Sequence, residues 1–290
     1  MKILLIDIDS KIPNLALKKI EKYHKDMGDE IIWNFPLARH SVDKIYVSCI
    51  FTKNKEDCQE WVGSAEIGGT GFDLHKKLPP EIEAVKPRIN YGKTTTGCIR
   101  HCEFCCVPEK EGGIKIIGDL YDVWDGKSKR VCLIDNNVLA VKKHFLKVCG
   151  QAQKEGIQIE FNQGLDIRLL DEEIARELKK TRLSELWFAW DNVKDEGVVR
   201  SGIELLNKVG IKSMRFYVIV GFNTSIEEDL YRFNILKQYK IRPYCMRHEK
   251  VNGIKEYIRM AEWVNMPRMF MTKTFNEFNK LKTTPTGEKG

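Results

Sequence analysis

Apolar positions along the chain follow two alternating rhythms. Residues 3–8 (ILLIDI) form a short apolar run. Residues 14–27 then place Leu15, Leu17, Ile20, Tyr23 and Met27 at helical spacing before Gly28, the pattern of an amphipathic helix with a glycine stop. Ile31–Phe35 and Lys44–Phe51 read as further strands, with a short helix near Lys55–Trp61 and a Gly-rich turn, Gly68-Gly69-Thr70-Gly71. This predicts a small doubly wound α/β domain over residues 1–78. Pro79, Pro80 and Pro87 mark residues 79–90 as a linker.

From residue 91 the alternation resumes and lasts longer. Strands are predicted at 89–95, 130–135, 157–161, 185–190, 214–220 and 241–245, with helices at 138–154, 171–180, 196–209, 226–239 and 253–264. Six βα units are too few to close an eight-fold barrel, so residues 91–265 are expected to form an open, partial (βα)6 barrel with its chemistry at the carboxyl ends of the strands. A C-terminal extension, 266–290, ends in a polar tail from about Thr283.

Composition narrows the function. With 42% hydrophobic and 31% charged residues in 290, extensive disorder is excluded. No apolar stretch reaches the roughly 18–20 residues of a membrane helix, and Asp7 and Asp9 interrupt the opening run before it could serve as a signal core, so a cytoplasmic protein without a membrane partner is expected. Nine cysteines in such a chain point to free thiols kept for metal or redox chemistry. Residues 240–290 hold eleven Lys and Arg against five acids, nearly the whole +7 excess, interleaved with Tyr244, Tyr257, Trp263, Phe270, Phe275 and Phe278. That mixture suits a phosphate-bearing partner, nucleic acid included; it equally suits an amphipathic helix with a solvated face.

The most informative stretch is Gly97-Cys98-Ile99-Arg100-His101-Cys102-Glu103-Phe104-Cys105-Cys106-Val107-Pro108. Cys98, Cys102 and Cys105 are spaced to wrap one metal centre. A structural zinc would need a fourth ligand, and His101 and Cys106 are each bonded in sequence to a proposed ligand and awkwardly aimed. Three thiolates suit an iron–sulfur cluster with one open iron, though sulfur ligands alone do not separate iron from zinc. Cys106 reads as a small buried residue. Cys49, Cys58, Cys132, Cys149 and Cys245 lack ligand spacing and read as core fillers.

This CxxxCxxC loop, with an aromatic residue before its third cysteine, resembles the signature of the radical S-adenosylmethionine superfamily. The resemblance covers about residues 90–260. It implies that Cys98, Cys102 and Cys105 hold a [4Fe-4S] cluster whose free iron is chelated by S-adenosylmethionine, that Phe104 packs near the adenine, and that a 5'-deoxyadenosyl radical abstracts hydrogen from a substrate. An electron donor such as flavodoxin or ferredoxin is implied as a partner; the substrate is unidentified, RNA or another polyanion being favoured by the basic C-terminal segment.

Polar groups at the predicted strand ends fit a cofactor with an adenine, a ribose and a zwitterion. Asp135 and Asn136 stand where that family binds the methionyl amine. Arg168 can hold a carboxylate bidentately, and Gln163 or Asp166 can meet ribose hydroxyls. Asp191 follows the fourth strand, and Gly221 and Asn223 resemble the family's glycine-containing segment beside the adenine. Each residue taken singly is equally suited to capping a helix.

A small N-terminal α/β domain before such a barrel resembles the cobalamin-binding type, in degenerate form. The Asp-x-His-x-x-Gly loop that would ligate cobalt is absent, and His24 lies at the wrong spacing from Gly28, so cobalamin is not expected. The loop also has some likeness to radical methylthiotransferases of transfer RNA, but only Cys49 and Cys58 precede the motif, too few for a second cluster. The alternative is a non-catalytic nucleic-acid-binding module stabilised by zinc or a cluster on the same cysteines.

Overall fold

The computed structural model describes residues 1–283 and divides the chain into two compact units. One comprises Met1–His101 and Cys105–Val131, the other Cys102–Phe104 and the chain from Cys132 onward. Both are mixed α/β, with parallel sheets.

The first unit is built on β1 (Lys2–Asp7), α1 (Leu15–Asp26), β2 (Glu30–Trp33), β3 (Lys44–Ser48) and β4 (Glu66–Gly68), the strands lying in the order β2-β1-β3-β4 and all parallel. The alternation of β1 explains why the sheet is covered on both sides. Ile3 and Leu5 pack with Leu17 and Ile20 of α1, while Leu4 and Ile6 pack with Cys49, Cys58 and Trp61 of the chain after β3. Each such aliphatic side chain contributes on the order of 1.5–3 kcal/mol. Asn14 caps α1 through its side chain, and Gly28, at φ +82°, supplies the left-handed residue beyond its end.

The segment 52–61 is a 3-10 helix, and Glu66–Gly68, expected to lead only into a turn, is a strand. The expected linker contains α2 (Pro80–Glu83), whose Ile82 is buried against Leu17 and Ile20. The strand expected over 89–95 is reduced to two short pieces, β5 (Tyr91–Gly92) and β6 (Thr95–Thr96). They are followed by α3 (Val107–Glu111), β7 (Lys115–Ile116), antiparallel to β6, and α4 (Leu120–Val123).

In the second unit β8 (Arg130–Leu133, its last two residues within this unit) is followed by α5 (Lys142–Glu155), β9 (Gln158–Phe161), α6 (Glu172–Lys180), β10 (Trp187–Ala189), α7 (Glu196–Lys208), β11 (Arg215–Val220), α8 (Ile226–Gln238), β12 (Arg242–Arg247), α9 (Lys255–Asn265), α10 (Pro267–Thr272) and α11 (Phe275–Thr283). β10, β11 and β12 form a parallel sheet in that order, β8 neighbours β9, and parallel bridges at Ile159–Leu183 and Leu165–Phe188 continue the array. Strand–helix alternation therefore runs as the periodicity predicts. Among the described residues no helix is long and apolar enough to cross a membrane.

The C-terminal aromatics resolve in favour of packing. Tyr257, Trp263, Phe270, Phe275 and Phe278 are buried, with Trp263 ringed by Phe270 at 5.0 Å and Phe275 at 5.6 Å. Tyr244 alone of the six is exposed. The expected extension from 266 is thus helical up to Thr283, and the expected polar tail beyond it lies outside the described residues.

Candidate functional site

In the first unit the cysteine loop is anchored at its base by one carboxylate. Glu111, at the end of α3, accepts from Lys93 Nζ at 2.6 Å, Thr96 Oγ1 at 2.7 Å and the Gly97 backbone N–H at 2.9 Å. Gly97, at φ +78°, lies so close to the returning chain that a β-carbon there would sit 2.3 Å from the Gly113 carbonyl oxygen, so only glycine fits. The Cys98 N–H donates to Gly112 O at 3.1 Å, and the Cys98 sulfur accepts the Arg100 N–H at 3.3 Å. Lys110, from the same short helix, donates to Thr70 Oγ1.

Cys98, Cys102 and Cys105 form no disulfide, and each is partly covered. Burial raises the Cys105 thiol, with Cys106 and Cys98 near enough to add to the effect. Cys106, expected to be buried, is exposed: it sits at the N-terminal edge of α3, with no core above it. Cys49, Cys58, Cys149 and Cys245 are buried as core fillers; Cys132 is only half-buried. Among the described residues no three or more His, Cys, Asp or Glu side chains are gathered around a common metal position. The motif nevertheless offers the soft sulfur donors that an iron–sulfur cluster takes.

Burial works against the charge on Glu111, but Lys93, Gly97 and Thr96 outweigh it and hold the carboxyl at about 2 instead of 4.5. Because the folded-state value is depressed, the stabilisation is present above about pH 4.5 and is lost as pH falls towards 2, on the order of 3 kcal/mol in all. Glu111→Gln is expected to remove most of the difference in urea midpoint between about pH 3 and pH 6. An unaltered difference would show that another group carries it.

In the second unit the middle of the motif lies against the carboxyl ends of the strands. Phe104 meets Phe222, just past β11, edge-on at 5.3 Å. Glu103 accepts from Asn223 Nδ2 at 3.1 Å. Arg168, past the end of β9, is within electrostatic reach of Cys102. Burial disfavours the Arg168 charge, but Asp166 and Asp195 more than restore it: Asp166 accepts from Nε at 2.7 Å and Nη2 at 3.2 Å, and Asp195 from Nη1 at 3.4 Å.

The remaining expected residues fall around the same edge. Asn137 Nδ2 donates to Asp166 at 3.2 Å, tying the end of β8 to that of β9. Asp135 is buried beside it and Asn136 is half-buried. Asp191 accepts from the Ile219 N–H at 3.1 Å, and burial raises its carboxyl against the pull of Arg232 and Arg168. Asn223 adopts φ +53°, and Gly221, at φ +72°, faces Val251 so closely that a β-carbon would lie 2.3 Å from it. Gln163 is exposed and makes no side-chain hydrogen bond among the described residues. Helix capping accounts for part of Asp166, which also accepts from the Arg168 N–H at 3.2 Å.

Sequence reasoning missed Glu103, Glu111, Phe222 and the pair beneath the β11 end, Asp229 and Arg232. Asp229 Oδ2 accepts from the Gly221 N–H at 3.0 Å, and Arg232 reaches Trp190 O and Ile219 O at 2.6 and 2.8 Å. Only the spacing Asp229-x-x-Arg232 on a predicted helix could have signalled them. His24, which had no evident partner, stands between Asp29 at 2.6 Å and Tyr46 at 3.2 Å as a satisfied core histidine.

The amino-terminal sheet reverses its strand order between β1 and β3, where doubly wound folds ordinarily bind ligands. Here Asp9 spans that point, accepting from the Ile50 and Phe51 N–H groups at 2.8 Å each and from Asn54 Nδ2 at 3.1 Å. Gly69 and Gly71 pack on the same loop, where β-carbons would lie 2.2 Å from Cys49 O and 2.4 Å from the Phe51 carbonyl carbon. The Gly-rich run is a close-packed turn.

Compared with models of known protein families and with curated proteins, the chain matches none.

Proposed function

We propose that the protein is a radical S-adenosylmethionine enzyme of the cytoplasm, with Cys98, Cys102 and Cys105 as ligands of a [4Fe-4S] cluster and the strands β8–β12 as a partial barrel. The observation that carries this reading is the attachment of the motif's middle to the strand ends: Phe104 on Phe222 and Glu103 on Asn223, with Arg168 within electrostatic reach of Cys102. A zinc loop serving only as a staple has no need of a guanidinium and an aromatic wall at that place. Cys98, Cys102 and Cys105 would hold the cluster, which would supply the electron for reductive cleavage of S-adenosylmethionine and so for hydrogen abstraction from a substrate.

The chain's own groups do the binding. Asp166 and Asp195 hold the Arg168 guanidinium in a fixed attitude, ready to meet the methionyl carboxylate. Phe104 and Phe222 form an apolar corner for the adenine. Flavodoxin or ferredoxin is the natural class of electron donor. Anaerobic purification tests the reading. A brown protein holding about four irons per chain and releasing 5'-deoxyadenosine on reduction is expected; a colourless zinc protein that leaves S-adenosylmethionine intact would refute it.

A further inference from the structure

Parallel sheets are normally covered on both faces. In β10–β11–β12 one face is covered: Phe188, Phe216, Val218, Val220 and Cys245 are buried. The opposite face is open. Along it Trp187, Arg215 and Tyr217 are half-covered, while Arg242, Tyr244 and Met246 are exposed, Tyr244 at 43%.

The open face is ordered by its rings. Trp187 and Tyr217 stack at 4.4 Å with planes 18° apart, Arg215 lies on the Trp187 ring at 4.2 Å, and Tyr244 meets Tyr217 edge-on at 6.3 Å. The register sets Tyr217 opposite Tyr244 on one side and the small Ala189 on the other. Of the acids nearby, Glu185 is engaged by Trp187 Nε1 at 3.0 Å and Arg215 at 3.4 Å, and the exposed Glu160 of β9 accepts from Asn162 at 3.3 Å. Arg242 and Arg247 have no ion-pair partner among the described residues.

We infer that this face binds a single-stranded polynucleotide, its bases stacking on Tyr244 and the Trp187–Tyr217 pair and its phosphates meeting Arg242. An exposed ring beside a half-covered stacked pair, with Arg242 at their edge free of any ion pair among the described residues, is the complement of unstacked bases on an anionic backbone. On this face Arg242 to Met246 spans about 13 Å of strand, longer than one stacked base. A duplex keeps its bases hidden, so the platform selects single strands. The inference rests on the proposed function only in taking the bound strand for the substrate.

The test uses the full chain, purified anaerobically, and a fluorescent unstructured RNA of about 12 nucleotides, read by anisotropy without S-adenosylmethionine or reductant. Binding that weakens with added salt is expected, together with a loss of about tenfold or more in Tyr244→Ala and a smaller loss with a shallower salt slope in Arg242→Ala. Both residues are exposed, and circular dichroism confirms that the variants fold. Equal affinity of Tyr244→Ala and the unaltered protein, equal binding of a duplex of the same length, or equal binding of polyglutamate would each overturn the inference. The same oligonucleotide as DNA reports whether the sugar is read. Iron content and 5'-deoxyadenosine are measured separately: Tyr244-dependent binding without cofactor cleavage retains the surface and discards the radical chemistry, and the converse result discards the surface alone.

Discussion

Removing either partner of the Asp229–Arg232 pair is expected to cost about 3–5 kcal/mol, a large share of the 5–15 kcal/mol that holds a typical domain together. Both side chains are fully buried in α8. Arg232 donates to the carbonyl of Trp190 at the end of β10 and to that of Ile219 in β11, while Asp229 takes the Gly221 N–H. Arg232→Met leaves a buried carboxylate facing one backbone donor and orphans two carbonyls; Asp229→Asn leaves a guanidinium without its counter-ion. Burial already raises the Asp229 carboxyl while Arg232 holds it down, so removal of the arginine should drive it to take up a proton. The double variant Asp229→Leu/Arg232→Met should recover only the part of the loss that comes from stranding one charge of the pair, because the Trp190 and Ile219 carbonyls and the Gly221 N–H still lose their partners. Denaturant titration of the two single variants and the double variant decides the matter. Single variants within about 1 kcal/mol of the unaltered protein would show that water reaches the pair.

The second large effect is chemical. Cys102→Ala is expected to lose bound iron and to lower 5'-deoxyadenosine release by at least about a thousandfold, with Cys98→Ala and Cys105→Ala alike. Cys106→Ala is the informative companion. It lies next to Cys105 and is exposed, but stands outside the three-thiol spacing, so it should retain iron and cleavage. Iron retained in Cys102→Ala and lost in Cys106→Ala would reverse the ligand assignment.

Periodicity made much of the second unit legible, because its strands are long enough to carry a period. β11 alternates Arg215, Phe216, Tyr217, Val218, Ile219 and Val220 between its two faces, and Ser225 with Glu228 forms the capping box that starts α8. Two-residue strands such as β5, β6 and β7 carry no period, and so the predicted strand over 89–95 ran through β5 into β6 and β7 was not predicted. Spacing singled out the cysteines and the polar residues after each strand as candidates. Glu111 was not. In the run Glu-Lys-Glu-Gly-Gly it looks like solvated charge, and its role depends on Lys93, Thr96 and Gly97, which lie 14 to 18 residues away in sequence. Asp229 and Arg232 were hidden for a similar reason: an i,i+3 pair on a helix resembles a surface ion pair until burial is known. The interleaved cations and rings near the C-terminus misdirect in the opposite sense, since five of six rings belong to the core and the exposed ring, Tyr244, lies on a strand.

Asp9 leaves the amino-terminal sheet in an unusual position. A guest molecule at the switch point between β1 and β3 would have to compete with a tethered carboxylate already bonded there. Shortening that one side chain, as in Asp9→Ala, would leave the Ile50 and Phe51 amides and Asn54 without their shared acceptor and untie the loop after β3 from the end of β1.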